Sequence, residues 1–207
     1  MNEPGRVTDI RSRRGSKRRE IFVDGDLLCV TSSAVIAVLG IACGDVVDPD
    51  DMTARIRSLE SRFCRERAVF LLTYRDRSSK ELSERLVSDG YDPSVAEDVV
   101  GSLVACGLAD DLRFASGTAR ALVQSRGLGR ARAHRELVRH GVDEGLAEEV
   151  LDEFAPREDE RARARAAAHT AVRSGDTVER LAARLCRRGF STSEAIDAAR
   201  EAFSDSD

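Results

Sequence analysis

The chain has no tryptophan, and aromatic residues make up only 4% of its 207 positions. A protein this poor in aromatics is not expected to hold single-stranded bases on large stacking platforms. Lysine is almost missing: Lys17 and Lys80 stand against thirty-one arginines. Asn2 and Gln124 are the only side-chain amides. Such one-sided choices point to base bias acting on codons, so the arginine excess alone is weak grounds for a binding function. Cys29, Cys43, Cys64, Cys106 and Cys186 are odd in number and widely spaced, with no Cys-x-x-Cys pair. That fits reduced, buried thiols in a cytoplasm rather than a disulfide framework or a cysteine zinc site. The basic N-terminus lacks the apolar run of a signal peptide. The most apolar stretch, 34–43, is about half of a membrane span.

What is present suffices for a core. Hydrophobic residues reach 42% and charged residues 34%, which is outside the disordered range. On a prior of about 150 residues per domain, the length allows one large domain or two small ones. Net charge is −4, without the overall basic footprint of a dedicated nucleic-acid binder. The charge is unevenly placed. Basic side chains dominate 1–19, 126–140 and 161–188, while 143–160 carries nine acids and one arginine.

Residues 1–19 mix Arg, Ser and Gly without period and read as a disordered basic tail. The β-prone runs 20–23 and 27–30 flank Asp24-Gly25, a strong hairpin signal. Ser32 or Ser33 caps a brief helix to Leu39, and Asp48-Pro49 opens another through Met52, Ile56 and Leu59. Residues 20–62 therefore read as a small hairpin with short helices.

From Phe63 to Phe203 the pattern is helical and repeats. Leu82/Leu86 precede Gly90-Tyr91, Ala133/Leu137 precede Gly141-Val142, and Leu181/Leu185 precede Gly189-Phe190. The pairs share one helix face, and each glycine suits the left-handed position that ends a helix. New helices then start at Asp92-Pro93, at Asp143 and at the capping box Ser191-x-x-Glu194, while Ser78-x-x-Glu81 and Asp176-x-x-Glu179 open the preceding ones. Upstream, Phe63, Phe70, Leu71 and Tyr74, and likewise Phe114, Thr118, Ala121 and Leu122, fall at helical spacing. In the third unit Ile196 rather than Ala195 is expected to face inward. The expected fold is mainly α: three tandem three-helix repeats over 63–109, 110–157 and 158–204, forming an elongated curved array.

No catalytic constellation is present. His134, His140 and His169 read as solvated helix residues, Gly127-x-Gly129 as a helix–helix linker rather than a dinucleotide loop, and Asp110-Asp111 as a helix cap rather than a metal site. No cofactor or metal is expected. Arg126, Arg130, Arg132, Arg135 and Arg139 crowd one loop-helix segment, which is either a solvated face or a binding edge. Against the first reading, the next helix is acidic: Asp143, Glu144, Glu148, Glu149, Asp152 and Glu153 lack neighbouring basic residues in sequence. The third unit repeats the pattern weakly, with Arg180, Arg184, Arg187 and Arg188 ahead of Glu194, Asp197 and Glu201.

Several segments resemble the RecX regulatory family in the right order. They are Arg77-Ser78-Ser79-Lys80-Glu81-Leu82, Gly90-Tyr91, 110–115, Gly129 with Arg135-Glu136-Leu137 and Gly141-Val142, and 185–190. Ala131 and Ala133 depart from it, since members usually carry larger aliphatics there. The resemblance implies a non-enzymatic regulator of RecA recombinase in DNA recombination and repair. Such a protein lies along the groove of the RecA–DNA filament, bridges protomers and inhibits ATP hydrolysis and strand exchange. The chain is expected to be a cytoplasmic monomer whose DNA contact is weak or made through the filament. The expected filament-facing residues are Arg126, Arg130, Arg132, Arg135, Arg139, Arg184, Arg187 and Arg188. A stand-alone DNA-binding protein and a helical scaffold for another partner remain alternatives.

Overall fold

The computed structural model describes residues 3–12 and 17–204. The chain divides into two compact units, Met1–Ala109 and Asp110–Asp207. Mainly helical, it has ten α-helices and one small sheet among the described residues.

The first unit begins with an antiparallel sheet of order β3-β2-β1-β4, built from β1 (Gly5–Ser12), β2 (Arg18–Val23), β3 (Asp26–Ser32) and β4 (Val46–Val47). The β2–β3 turn forms where Asp24-Gly25 predicts it. Both residues have positive φ, 52° and 93°, as a type I′ turn requires. The expected disordered tail over 1–19 does not hold for residues 5–12 and 18–19: Gly5 and Arg6 pair with β4, Val7 and 9–12 pair with β2, and Arg18 and Arg19 belong to β2 itself; 1–2 and 13–16 lie outside the described residues. Val7 supplies the reason, because it is buried against Ile21, Val35 and Ile56. One deep side chain, helped by the partly buried Ile10, anchors a strand that is otherwise mostly polar.

Helix α1 (Ser33–Leu39) is capped by Ser32 and stops at left-handed Gly40. Asp48 caps α2 (Pro49–Tyr74), accepting from the amides of Asp50 and Asp51. No break falls near residue 62. One continuous helix runs for 26 residues. Its first half buries Met52 and Ile56 against the sheet; its second half buries Cys64, Ala68 and Leu71 against α3 (Ser79–Asp89) and α4 (Pro93–Ala105). The aromatic stripe expected to face inward therefore points elsewhere. Phe70 is 60% exposed and Tyr74 85%, and Phe63 leans on the sheet core instead. Cys64 and Ala68 are small, so the neighbouring helices pack on them and leave the aromatics outside. Burial expected of all the thiols holds for Cys64 but not for Cys43 and Cys106, which are exposed.

The second unit holds α5 (Asp111–Arg120), α6 (Arg130–Arg139), α7 (Glu144–Phe154), α8 (Glu160–Ala171), α9 (Val178–Arg188) and α10 (Thr192–Ser204). Helix α5 ends in a π-helical turn over Ala121–Ser125. One core gathers Phe114, Leu122, Ala133, Leu137, Val150 and Leu151 from α5–α7. Ala121 lies outside it and Ala119 inside. A second core joins α8–α10 around Leu181, Leu185 and Phe190 and contains nine alanines. In such a tight core the small Ala195 faces inward, and Ile196 only borders it, against expectation. Thr177 rather than Asp176 caps α9, its hydroxyl accepting from the Arg180 amide.

The glycine closures recur in detail. Gly90, Gly141 and Gly189 have φ of 107°, 84° and 98°. At each, the glycine amide bonds to the carbonyl three residues back and the next amide to the carbonyl five back, the double bond of a Schellman ending. Leu82, Leu86, Ala133, Leu137, Leu181 and Leu185 are all fully buried.

Arg18 ties the sheet to the helices. Its guanidinium pairs with Asp92 at 3.0 Å and Glu60 at 3.4 Å, and Glu60 also accepts from the Asp92 amide. Glu60 is only 4% exposed. Burial pushes its carboxyl above the ordinary range, and the Arg18 charge pulls part of the shift back. A carboxyl held high in the folded state binds its proton more tightly there than when unfolded. Its contribution therefore falls as pH rises from about 4.5. Replacing Arg18 removes the counter-charge and deepens that loss. Arg18→Met is expected to cost about 3–5 kcal/mol at pH 7, with the deficit shrinking as pH falls through the raised Glu60 value. Denaturant midpoints at about pH 7 and about pH 4.5 test this. An equal deficit at both would remove Glu60 from the explanation.

Candidate partner-binding surface

The eight arginines proposed from sequence lie in the second unit and do not act alike. Arg130, at the start of α6, is 7% exposed. Its Nη1 donates to the Ala155 carbonyl at 3.0 Å and Nη2 to the Glu148 carbonyl at 3.3 Å, while Nη2 also pairs with Glu148 and, at 2.7 Å, with Asp152. Burial works against its charge, but the two carboxylates outweigh burial and raise its pKa. Arg130 is thus a bolt between α6 and α7, its charge engaged within the fold. The first turn of an amphipathic helix places it inward, because Arg130, Ala133 and Leu137 share one face.

Arg184 is likewise engaged. It grips both oxygens of Asp176, at 2.8 and 2.9 Å, and donates to the Ala171 carbonyl at the end of α8. Its guanidinium holds Asp176 below the usual carboxylate range. Arg132 reaches across to α9, donating to the Arg187 carbonyl at 2.6 Å. Arg139 lies on Glu136, with Nε at 2.9 Å and Nη2 at 2.6 Å from the same oxygen. That pair is exposed on the arginine side, so it contributes little to stability.

Four remain. Arg126, Arg135 and Arg187 are exposed and Arg188 is half-buried. Among the described residues none of their side chains has an ion pair or hydrogen bond. Arg126 and Arg188 share one cleft; Arg135 stands on the outer face of α6 beside Arg132 and Arg139, at helical spacing.

The acids of α7 are also less free than their sequence suggests. Glu148 meets Arg130, His134 at 3.6 Å and Arg157 at 3.5 Å, and Asp152 meets Arg130. The basic and acidic helices therefore neutralise each other in part inside the unit. Nor are His134 and His140 simply solvated: His134 faces Glu148, and His140 stacks edge-on to Phe114 with ring centres 6.1 Å apart. Asp110 does cap α5, accepting from the Arg113 amide at 2.9 Å.

The Gly127–Gly129 segment does more than link helices. The Gly129 amide donates to the Arg188 carbonyl at 2.9 Å, and a Cβ on Gly129 would lie 2.6 Å from the Gly189 backbone. A Cβ on Gly189 would lie 2.4 Å from Arg132 Cβ. Two glycines back to back let the start of α6 touch the end of α9, which brings Arg126 and Arg188 to one cleft. Sequence reasoning treated these glycines separately. Their shared role appears only when the two repeats are docked.

Among the described residues there is no group of three or more His, Cys, Asp or Glu side chains able to hold a metal, and no helix long and apolar enough to cross a membrane.

Residues 64–103 match the description "RecX, first three-helix domain" and residues 110–151 "RecX, second three-helix domain". The chain is 36% identical over 150 residues to Regulatory protein RecX of Corynebacterium efficiens, covering 67% of this chain and 71% of that one. It is 34% identical over 150 residues to the protein of the same name from Halorhodospira halophila, covering 70% and 91%. A crystal structure of regulatory protein RecX superposes with a TM-score of 0.61 over 92% of this chain and 96% of the other, at 19% identity. RecX from Lactobacillus salivarius gives 0.55 over 70% and 97%, also at 19%. At that identity the structures attest the fold alone. The sequence relationships reach further, and with the two domain matches they establish that the chain belongs to the RecX family.

Proposed function

We propose that the protein is a non-catalytic cytoplasmic regulator that binds the RecA–DNA filament along its groove and inhibits RecA ATPase and strand exchange. The observation that carries this reading is the set of guanidinium groups outside the fold's own ion pairs and hydrogen bonds: Arg126, Arg135, Arg187 and Arg188. A filament of protein and nucleic acid offers both carboxylates and phosphates, and the planar arginine fork pairs with either. The family membership supports a regulatory role, since the relatives are named regulatory proteins. Arg132 and Arg139 lie beside Arg135 on the same face and extend the basic edge. Arg130 and Arg184 are withdrawn from the contact set, because their charges are engaged within the fold.

This division separates stability from regulation. Arg130→Gln is expected to lower the stability of the second unit by about 1–3 kcal/mol, since it leaves the Ala155 carbonyl and two carboxylates without their partner. A melting point within a degree of the parent would assign Arg130 back to the surface.

Arg135→Glu combined with Arg187→Glu is expected to leave melting nearly unchanged. The same pair is expected to raise the inhibitory midpoint against RecA ATPase on single-stranded DNA by about tenfold at low salt. The gap should narrow as salt screens the parent contacts. Identical midpoints at every ionic strength would make this edge a solvated face. Binding to DNA that is unaffected by RecA would favour a stand-alone DNA-binding protein instead.

A further inference from the structure

Beside the basic edge lies a cleft of about 380 Å³ between the α5–α6 connection and α8–α9. Arg126, Arg163 and Arg188 line it, with Gln124, Ser125 and Phe190, and no acidic residue does. Three cations therefore converge on one hollow without a carboxylate in its wall.

Arg163 comes from α8 and was not singled out by sequence reasoning. One of its terminal nitrogens pairs with Glu160, one turn earlier. Its Nε and Nη1 are buried and have no hydrogen-bond partner. A buried donor without an acceptor is costly, and natural folds rarely leave two on one side chain. Arg188 reaches the opposite lip, where a Cβ built on Gly127 would sit 3.8 Å from its Nη1. The π-helical turn over Ala121–Ser125 widens the backbone at the rim, and such turns recur at functional sites. Left-handed Gly127, with φ of 61°, then turns the chain so that Arg126 and the α6 start border the same hollow.

We propose that this cleft is a phosphate-binding site, taking one phosphate group between Arg126, Arg163 and Arg188. A tetrahedral anion offers acceptors in several directions at once, as three convergent guanidinium groups require. A single carboxylate would be served by one arginine fork. The phosphate belongs either to the backbone of a nucleic-acid strand or to a free phosphate compound such as a nucleotide. The site stands on its own geometry and does not rest on the RecA reading.

The test uses the full chain without RecA. Inorganic phosphate is titrated at constant ionic strength, followed by calorimetry and by the amide resonances of 124–128, 163–170 and 188–190. Saturable binding confined to those amides is expected. It should weaken roughly tenfold in the double variant Arg126→Gln with Arg188→Gln, and stay unchanged in Arg200→Gln on the exposed face of α10. Both replaced arginines in the double variant lie outside the ion pairs of the fold, so its folding is preserved; Arg163, which holds Glu160, is left in place.

Two further arms identify the source. Displacement of a labelled oligothymidylate by phosphate, lost in the double variant, assigns the cleft to a nucleic-acid strand. Competition by ATP with no effect on the oligonucleotide assigns it to a free nucleotide. Shifts equal to those from chloride, an unchanged affinity in the double variant, or acetate binding as tightly as phosphate would each overturn the proposal.

Discussion

A helix closed by a left-handed glycine, with two side chains buried four and eight residues before it, sets the course of each three-helix group. The closure consumes the last carbonyls of the helix in two backbone bonds and reverses the chain within two residues. The residue that follows, Tyr91, Val142 or Phe190, then lands on the core that the helix has just covered. A side chain at the glycine would face the steric cost of left-handed backbone, of order 1–2 kcal/mol. At Gly189 it would also collide with Arg132. Everything that orients the arginines of α6 and α9 is referred to these turns.

The electrostatics follow from that geometry. Where a helix ends near another element, exposed carbonyls need donors, and in this chain arginine supplies them: Arg130 to Ala155, Arg132 to Arg187, and Arg184 to Ala171. Each guanidinium can serve a carbonyl and a carboxylate together, which a lysine ammonium does less well in a fixed plane. With lysine nearly missing, arginine takes structural posts as well as surface ones. Part of the acidic stretch 143–160 accordingly belongs to the scaffold, since Glu148 and Asp152 hold Arg130 in place.

Most of the helical framework was legible because it is written in local terms. The i,i+4 pairs, the terminating glycines and the caps at Asp48, Ser78, Asp92, Asp110 and Asp143 all follow from spacing and backbone chemistry. What was not legible depends on partners distant in sequence. β1 carries a single deeply buried anchor, Val7, so its pattern is too weak to separate from a polar tail. Arg18 looks like one more basic residue until Glu60 and Asp92 meet it from 42 and 74 residues away. Phe70 and Tyr74 mislead because size is no guide to burial where close packing selects the small Cys64 and Ala68. The same holds where Ala195 rather than Ile196 faces inward.

The candidate site shows the same division at the level of single charges. A run of arginines in sequence has no sign of which guanidinium groups are engaged, because engagement is decided by carbonyls and carboxylates contributed by other helices. Arg130 and Arg135 are indistinguishable in composition and differ by five positions, which turns a helix about 500° and exchanges the core-facing side for the outer one. Arg163 lies in another charge-rich stretch, yet it ends with two buried, unpartnered donors on a side chain that lines a cleft with Arg126 and Arg188. A binding surface in a chain of this composition is therefore defined by subtraction. The fold removes the arginines it needs for its own carbonyls and acids, and what it leaves unpaired is the chemistry available to a partner.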